Sequence, residues 1–145
     1  MLEVKSSEDY SLIKNLFTEY SQIKGAEGCF VSFDKEVADL AEFYKDGAIL
    51  VGYENGEPVG CIAIKKIDEK TCEGKRLFIR PEYRGKGYAR IFLNSMLEQA
   101  RILNYELLTF TTRPDVMKTA YGLYKRMGFE EDGNENGVVS MRMML

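Results

Sequence analysis

Apolar residues recur at two different spacings along the chain, and these spacings predict its helices and strands. From Leu12 to Tyr20 they recur every three or four positions, which predicts an amphipathic helix. A short strand is predicted before it at residues 2–5, and the polar residues 6–9 are typical of a helix N-terminus. A second helix is predicted after Asp34, with these apolar residues on one face: Val37, Leu40, Ala41 and Tyr44.

From residue 48 onwards the pattern becomes extended. Strands are predicted at 48–53 and 59–67, on either side of the hairpin signal Asn55-Gly56, and a third strand at 71–79 ends before Pro81. In the rest of the chain the pattern predicts a helix at 87–103, a strand at 105–111 and a helix at 119–127 that is capped by Gly128. It then predicts a final hairpin, with strands at 129–131 and 138–144 around a loop at 133–137. The order β-α-α-β-β-β-α-β-α-β-β predicts an α/β fold with a mixed, mostly antiparallel sheet.

The absence of histidine limits the catalytic and metal-binding chemistry available to the chain. The chain of 145 residues is 45% hydrophobic and 30% charged, which predicts one compact domain spanning residues 1–145. It contains no histidine. The commonest general base, the commonest metal ligand and the usual partner of a nucleophilic serine or cysteine are therefore excluded, and no metal is expected.

Cysteine usage and hydropathy favour the cytoplasm. Cys29, Cys61 and Cys72 are odd in number and lack C-x-x-C spacing, which predicts reduced, packed thiols. No apolar run approaches the roughly 20 residues that span a bilayer. Residues 1–5 lack the basic and apolar regions of a signal peptide. The expected location is cytoplasmic, with no membrane as a partner.

Charge is distributed unevenly between the two halves of the chain. Residues 1–74 carry 8 basic and 15 acidic side chains, whereas residues 75–145 carry 12 and 8, within a net charge of −3. Six cations lie between residues 75 and 90: Lys75, Arg76, Arg80, Arg84, Lys86 and Arg90. Such a cluster indicates either a specific anion site or a solvated face, while the overall acidity argues against nucleic acid as a partner.

A glycine-rich segment, Arg-Gly-Lys-Gly-Tyr-Ala at 84–89, lies between a predicted strand and a long helix. Such a turn directs backbone N–H groups towards an anion at the helix N-terminus. A Walker A loop is excluded because Gly87 follows Lys86 where Ser or Thr is required. A dinucleotide loop is excluded because Arg90 stands where the third Gly or Ala is required.

Two blocks of sequence resemble the GNAT (Gcn5-related N-acetyltransferase) superfamily. Arg84, Gly87 and Ala89 match its pyrophosphate loop, Gln/Arg-x-x-Gly-x-Gly/Ala, and residues 77–83 are similar to its usual lead-in. Residues 120–129 match its second common block, Ala-x-x-Leu-Tyr-Lys-x-x-Gly-Phe. The resemblance covers the whole chain and implies the GNAT fold, in which strands 71–79 and 105–111 splay apart.

The resemblance implies acetyl-CoA as the acetyl donor. The residues expected to bind its pyrophosphate are Arg84, Gly85, Lys86, Gly87, Tyr88, Ala89 and Arg90. The residues expected to bind its pantetheine arm are Leu77, Phe78 and Ile79. The arm is expected to pair like an added strand. The backbone amide near Phe78 is expected to stabilise the oxyanion. Met117 stands near the position where many relatives carry an asparagine that contacts the pantetheine.

Two residues are expected to move protons. Tyr124 matches the family tyrosine that protonates the departing thiolate, although its spacing also fits an ordinary packed tyrosine. Glu73 lies 11 residues before Arg84, a spacing that resembles the base glutamate of the histone-acetylating branch. A water chain is the alternative base, and a salt bridge to Lys75 or Arg76 is the alternative role for Glu73.

The acceptor side is expected to lie in segment 25–34, with Phe30 and Phe33 as binding residues. The acidic first half favours cationic amines, unless its charges are only solvated. Arg76 is a candidate ligand for an acceptor carboxylate, which favours amino acids, and a structural ion pair is its alternative role. Strand alternation predicts that Lys75 and Arg76 point to opposite faces.

These features together predict an N-acetyltransferase that moves acetyl from acetyl-CoA to a primary amine of a small molecule or peptide. The attack is expected to be direct, with Tyr124 and Glu73 as the catalytic residues. A non-catalytic CoA-binding sensor or regulatory module is the alternative. The expected assembly is a monomer or homodimer, and the apolar residues 141–145 are a candidate contact in a dimer.

Overall fold

The computed structural model describes residues 1–23, 32–115 and 118–145. The helices of this part of the chain are α1 (Tyr10–Ser21), α2 (Phe33–Ala38), α3 (Leu40–Phe43), α4 (Tyr88–Ile102) and α5 (Lys118–Arg126). The strands are β1 (Leu2–Ser6), β2 (Ala48–Glu54), β3 (Glu57–Lys66), β4 (Thr71–Ile79), β5 (Leu107–Thr112), β6 (Glu130–Glu135) and β7 (Val138–Met144). A 3-10 turn, Pro81–Tyr83, follows β4.

The strands form one seven-stranded sheet in the order β1-β2-β3-β4-β5-β7-β6. Every neighbouring pair is antiparallel except β4 and β5. Helix α4 buries its apolar stripe on one face, with Phe92 and Met96 at its centre. Helices α1 and α3 cover the other face through residues such as Phe17 and Leu40. The predicted α/β class with a mostly antiparallel sheet is confirmed.

The first two helices begin and end at polar caps. Helix α1 begins after Asp9, whose carboxylate accepts a hydrogen bond from the Leu12 amide. The prediction of one continuous second helix is wrong, because Asp39 has φ −151° and ψ 81° and ends α2. The Asp39 side chain then caps α3 by accepting from the Glu42 amide at 3.2 Å.

Both two-residue turns of the sheet use left-handed residues. Asn55 and Gly56 have φ values of 51° and 82°, which confirms the predicted hairpin between β2 and β3. The last hairpin turns at Asn136 and Gly137, with φ values of 55° and 83°. The predicted 133–137 loop is therefore wrong: β6 continues to Glu135 at the outer edge of the sheet, with all six residues exposed.

Strands β4 and β5 part after a short parallel contact. Their pairing covers only Thr71–Glu73 against Leu107–Thr109. Beyond it β5 pairs with β7, and β4 pairs with β3. This confirms the predicted splay and leaves the β5-facing edge of residues 74–79 without a partner strand among the described residues.

A bulge in β4 changes which way its side chains point. Arg76 has φ 61°, and the pairing with β3 shifts between Cys61 and Ala63. Lys75 lies against the Phe43 ring and Arg76 against the Phe33 ring, so both side chains face α2 and α3. The prediction that they point to opposite faces is wrong, because strand alternation fails at the extra residue.

No helix in the described ranges is long and apolar enough to cross a membrane. Strand β7 is an inner strand, and its Met141 is fully buried. Only part of the apolar 141–145 tail is therefore on the surface, with Met144 being 71% exposed.

Gly60 allows β3 and β4 to approach closely, and we expect Gly60→Ala to destabilise the sheet. A Cβ at this position would lie 2.2 Å from the Phe78 carbonyl oxygen, which is backbone and has little room to move. The expected loss is about 1–3 kcal/mol in the free energy of unfolding, measured in urea. Gly133→Ala in exposed β6, where the nearest atom lies 4.0 Å away, is the control and should change it far less.

Candidate active site

A cavity of about 170 Å³ opens where β4 and β5 part. Leu93 and Met96 of α4 line it from one face of the sheet, and Tyr20 of α1 lines it from the other. The β5 side contributes Phe110 and Thr112. Residues from both faces of the sheet thus line the cavity at the splay.

Glu73 lines this cavity at the last paired position of β4. Its register partner on β3 is Lys65, and opposite residues of an antiparallel pair share a face. The alternative role, a salt bridge to Lys75 or Arg76, is not found among the described residues. Arg76 pairs with Glu36 instead, and no described residue lies within salt-bridge distance of Lys75. The Glu73 carboxylate is half-buried and faces α2 and α3.

Tyr124 reaches the same cavity from α5. It is 8% exposed and packs edge-on against Phe110, with ring centroids 4.4 Å apart. Phe129 contacts both rings in the same manner. The two residues predicted to move protons, Glu73 and Tyr124, are therefore brought to one cavity from different elements. Their roles remain predictions.

Arg76 forms a buried ion pair beneath the acceptor side of the cavity. Its Nε and Nη2 atoms donate to the two carboxylate oxygens of Glu36 at 2.9 and 2.6 Å. Tyr44 donates its hydroxyl to the same carboxylate at 2.7 Å. Burial alone would raise the pKa of Glu36, but the hydrogen bonds from Arg76 and Tyr44 and the charge of Arg76 outweigh it and lower that pKa. The structural ion pair left open by the sequence is thus present.

The other predicted acceptor residues divide between described and undescribed parts of the chain. Phe33 begins α2, and its ring lies 5.7 Å from the Arg76 guanidinium carbon. Phe30 lies outside the described residues, as do Cys29 and Met117. Sequence reasoning missed Glu36, because a glutamate in a short amphipathic helix is usually solvated. The arginine directly before the apolar residues 77–79 of β4 was the signal that a buried acid had to be nearby.

The glycine-rich loop is open and ends at the N-terminus of α4. Gly85 and Gly87 have φ values of 80° and 79°, and a Cβ at either would meet no atom within 4 Å. Gly87 is the N-cap of α4, so the first N–H groups of that helix face the loop. Arg84 folds back and donates from Nε to the Ile79 carbonyl at 2.8 Å, which ties the loop to the end of β4.

Glu54 at the end of β2 holds two side chains of this loop. It accepts a short hydrogen bond from the Tyr88 hydroxyl and lies 3.5 Å from the Lys86 ammonium. The hydrogen bond from Tyr88 and the charge of Lys86 lower the pKa of Glu54. The loop therefore keeps its shape through a carboxylate that sequence reasoning did not single out.

The six cations of residues 75–90 separate into two groups. Arg84, Lys86 and Arg90 lie on the exposed loop and at the start of α4. Arg80 binds Glu19 of α1 through Nε and Nη2 at 3.1 and 2.8 Å. It therefore lies, with Lys75 and Arg76, on the face covered by α1 to α3. Half of the cluster faces the loop, and half faces the acceptor side.

Residues 11–129 match the family model described as the acetyltransferase (GNAT) family. The chain belongs to the GNAT acetyltransferases. An uncharacterised N-acetyltransferase of Schizosaccharomyces pombe is 32% identical over 131 residues, which are 88% of this chain and 80% of that protein. The N-acetylaspartate synthetase of Homo sapiens is 29% identical over 114 residues, 76% of this chain and 37% of that protein.

A solved structure shows the same fold. A GNAT family acetyltransferase of Elizabethkingia anophelis with acetyl-CoA bound superposes with a TM-score of 0.75, covering 99% of this chain and 98% of that one at 16% identity. The predicted GNAT fold and the predicted enzyme class, an N-acetyltransferase, are confirmed by these comparisons.

The two described cysteines of this GNAT domain are unsuited to covalent catalysis. Cys61 and Cys72 are free and buried, as predicted for packed thiols. Burial raises the pKa of Cys72 to about 12 and raises the pKa of Cys61 further. Neither thiol is ionised at neutral pH, and a thiolate is the form that attacks.

The buried pair predicts a pH-dependent loss of stability in Glu36→Gln. At pH 7 the variant is expected to lose about 3–5 kcal/mol in the free energy of unfolding, because Arg76 is left buried without its counter-charge. The pKa of Glu36 is lowered on folding, so its contribution is complete above the ordinary value of about 4.3 and is lost as the pH falls through the folded value.

Urea unfolding at pH 7 and at successively lower pH below 4.3 measures this effect. The gap between wild type and Glu36→Gln should narrow on acidification. Glu106→Gln, which removes an exposed pair with Lys70 at 3.4 Å, is the control and should cost no more than about 1 kcal/mol. Equal losses in the two variants would contradict a special role for Glu36.

Proposed function

We propose that this GNAT domain transfers acetyl from acetyl-CoA to a primary amine by direct attack within the splay cavity. One observation carries the proposal: the cavity is lined by residues from both faces of the sheet, and Glu73 and Tyr124 are among them. A donor on the α4 face and an acceptor on the α1–α3 face can then meet without an enzyme-bound intermediate.

The donor side has the features that acetyl-CoA requires. The edge of β4 at Leu77, Phe78 and Ile79 lies beyond the last pair with β5 and is suited to added-strand pairing with a pantetheine arm. The amides of residues 85–90, at the start of α4, are suited to the pyrophosphate, with Lys86 and Arg90 supplying positive charge. The Elizabethkingia relative with acetyl-CoA bound supports the same ligand here.

Proton transfers are assigned to the two cavity residues. Glu73, directly or through water, accepts the proton that the ammonium must lose before attack. With an amine pKa of about 10.4, that loss costs about 4–5 kcal/mol at pH 7. The Phe78 amide is assigned to the oxyanion of the tetrahedral intermediate. As that intermediate collapses, the carbon–sulfur bond breaks and Tyr124 donates its phenolic proton to the thiolate, so CoA leaves as a thiol. The remaining extra proton on the attacking nitrogen then passes back to the Tyr124 phenolate, directly or through water, and leaves the neutral amide.

The acceptor class is open to a direct test. A thiol-release assay over polyamines, amino acids, aminoglycosides and peptides measures turnover, and calorimetry with CoA measures binding. The N-acetylaspartate synthetase relative gives a specific reason to include aspartate among the amino acids. Release with at least one amine is the expected result. Binding of CoA without release from any amine would favour the alternative function, a CoA-binding sensor.

Gly87→Val is expected to abolish measurable acetyl-CoA binding. Gly87 has φ 79°, a conformation that valine adopts only under strain, so the loop must move away from the helix N-terminus. Calorimetry measures the affinity, and urea unfolding checks that the fold survives. Gly133→Val in exposed β6 is the control. Wild-type affinity in Gly87→Val would overturn the assignment of the loop.

Tyr124→Phe is expected to lower kcat by roughly 10- to 10⁴-fold with little change in CoA affinity. The ring packing against Phe110 and Phe129 is kept, and only the hydroxyl is lost. Tyr121→Phe, one turn earlier on α5 and outside the cavity lining, is the control. An unchanged kcat in Tyr124→Phe would remove the acid assignment.

A further inference from the structure

Two opposite charges lie two residues apart on the acceptor face of β4. A Cβ on Gly74 would meet Met96 of α4, so residue 74 points to the donor face. Its neighbours Glu73 and Lys75 therefore point to the other face, and both line the cavity. Their Cα atoms are separated by about 6.5–7 Å, the spacing of alternate residues in a strand.

Lys75 is the lysine of this face that lines the cavity. Its ammonium lies 5.3 Å from the centre of the Phe43 ring and forms no salt bridge with a described residue. Arg76 is buried, with both Nε and Nη2 bound to Glu36, so its charge is already matched. Lys65, 5.0 Å from the same Phe43 ring, stands in register with Glu73.

Burial and neighbouring cations make a second anion favourable beside Lys75. Burial lowers the pKa of Lys75. The positive charges of Arg76 and Lys65 lower this pKa further, and the Glu73 carboxylate offsets part of the effect. Two lysines face one glutamate here, since Glu36 is committed to Arg76. A carboxylate brought beside Lys75 would gain a charge-assisted hydrogen bond and relieve the repulsion between the lysines.

We propose that the acceptor is a free amino acid, with its ammonium at Glu73 and its carboxylate at Lys75. This inference rests on the proposed function, because the amine at Glu73 is the group to be acetylated. An amino acid carries its two charges on either side of one carbon, and Glu73 and Lys75 present the complementary pair from one strand. Polyamines bring positive charge to Lys75, and internal peptide residues lack the carboxylate.

Three described acids of the first half are already engaged in structural contacts. Glu36 is buried against Arg76, and Asp39 caps α3. Glu19 is bound to Arg80. The excess of acidic residues in this half favoured cationic amines in the sequence analysis. In the described residues, part of that negative charge is already paired with other groups of the protein.

The test compares each amino acid with its own carboxamide in the thiol-release assay. The carboxamide has the less basic amine and so the larger neutral fraction, which biases the comparison against the proposal. Wild type is expected to show a kcat/KM at least tenfold higher for the acid. Lys75→Met should reduce this acid-to-amide ratio by roughly 10- to 100-fold, the worth of one charge-assisted hydrogen bond, and Lys75→Arg should retain most of it.

Lys70→Gln is the matched control, since it removes a lysine charge that is 77% exposed and paired with Glu106. Its acid-to-amide ratio should equal that of wild type. Lys75→Gln serves as a second variant if Lys75→Met fails to fold.

Three outcomes overturn the proposal, and they differ in what they leave standing. Equal kcat/KM for acid and amide in wild type, after both values are divided by the fraction of neutral amine, overturns amino-acid recognition and leaves N-acetyl transfer intact. A ratio unchanged in Lys75→Met and Lys75→Gln overturns the role of Lys75. No thiol release from any amine, with CoA still bound, overturns the proposed function and this inference together.

Discussion

The buried ion pair between Arg76 and Glu36 constrains how β4 and α2 pack beside the cavity. Arg76 stands at the bulge of β4 in a left-handed conformation, and Glu36 holds both Nε and Nη2 from α2. A buried arginine without a counter-charge costs several kcal/mol, so α2 and the bulged strand must stay together. The bulge turns Arg76 to the same face as Lys75, while the next residues restore the alternation towards α4. The pair thus couples the wall of the acceptor side to the strand edge that faces the cavity.

Features that depend on a few adjacent residues were predictable from sequence. The turn at Asn55 and Gly56 and the left-handed Gly128 each follow from the conformational freedom of one or two residues. The periodicity of α1 and α4 was equally clear, because long amphipathic helices repeat their signal over several turns. The resemblance to the GNAT blocks then supplied the splay, which no local pattern contains.

Features that depend on tertiary contact were not predictable in the same way. The bulge at Arg76 and the burial of Glu36 explain each other, and neither residue alone indicates the pair. Asp39 ends α2 because its side chain caps α3, whereas the apolar spacing from Val37 to Tyr44 continues through it. For the site, sequence brought forward Glu73 and Tyr124 but not Lys65, Phe43 or Glu54, whose importance comes from what they lie against. The total charge of −3 gave no hint that both cations of β4, Lys75 and Arg76, lie on the face covered by α2 and α3.

The outer strand β6 has a consequence for how copies of this domain meet in solution. It ends the sheet, its residues are all exposed, and four of the six are acidic: Glu130, Glu131, Asp132 and Glu135. An unpaired strand edge is otherwise a template for continuous sheet formation between molecules. Two such edges brought together in antiparallel register place carboxylates against carboxylates, and Coulomb repulsion opposes the contact. The same charges are screened at high ionic strength, so the domain's resistance to edge-to-edge aggregation depends on the salt around it.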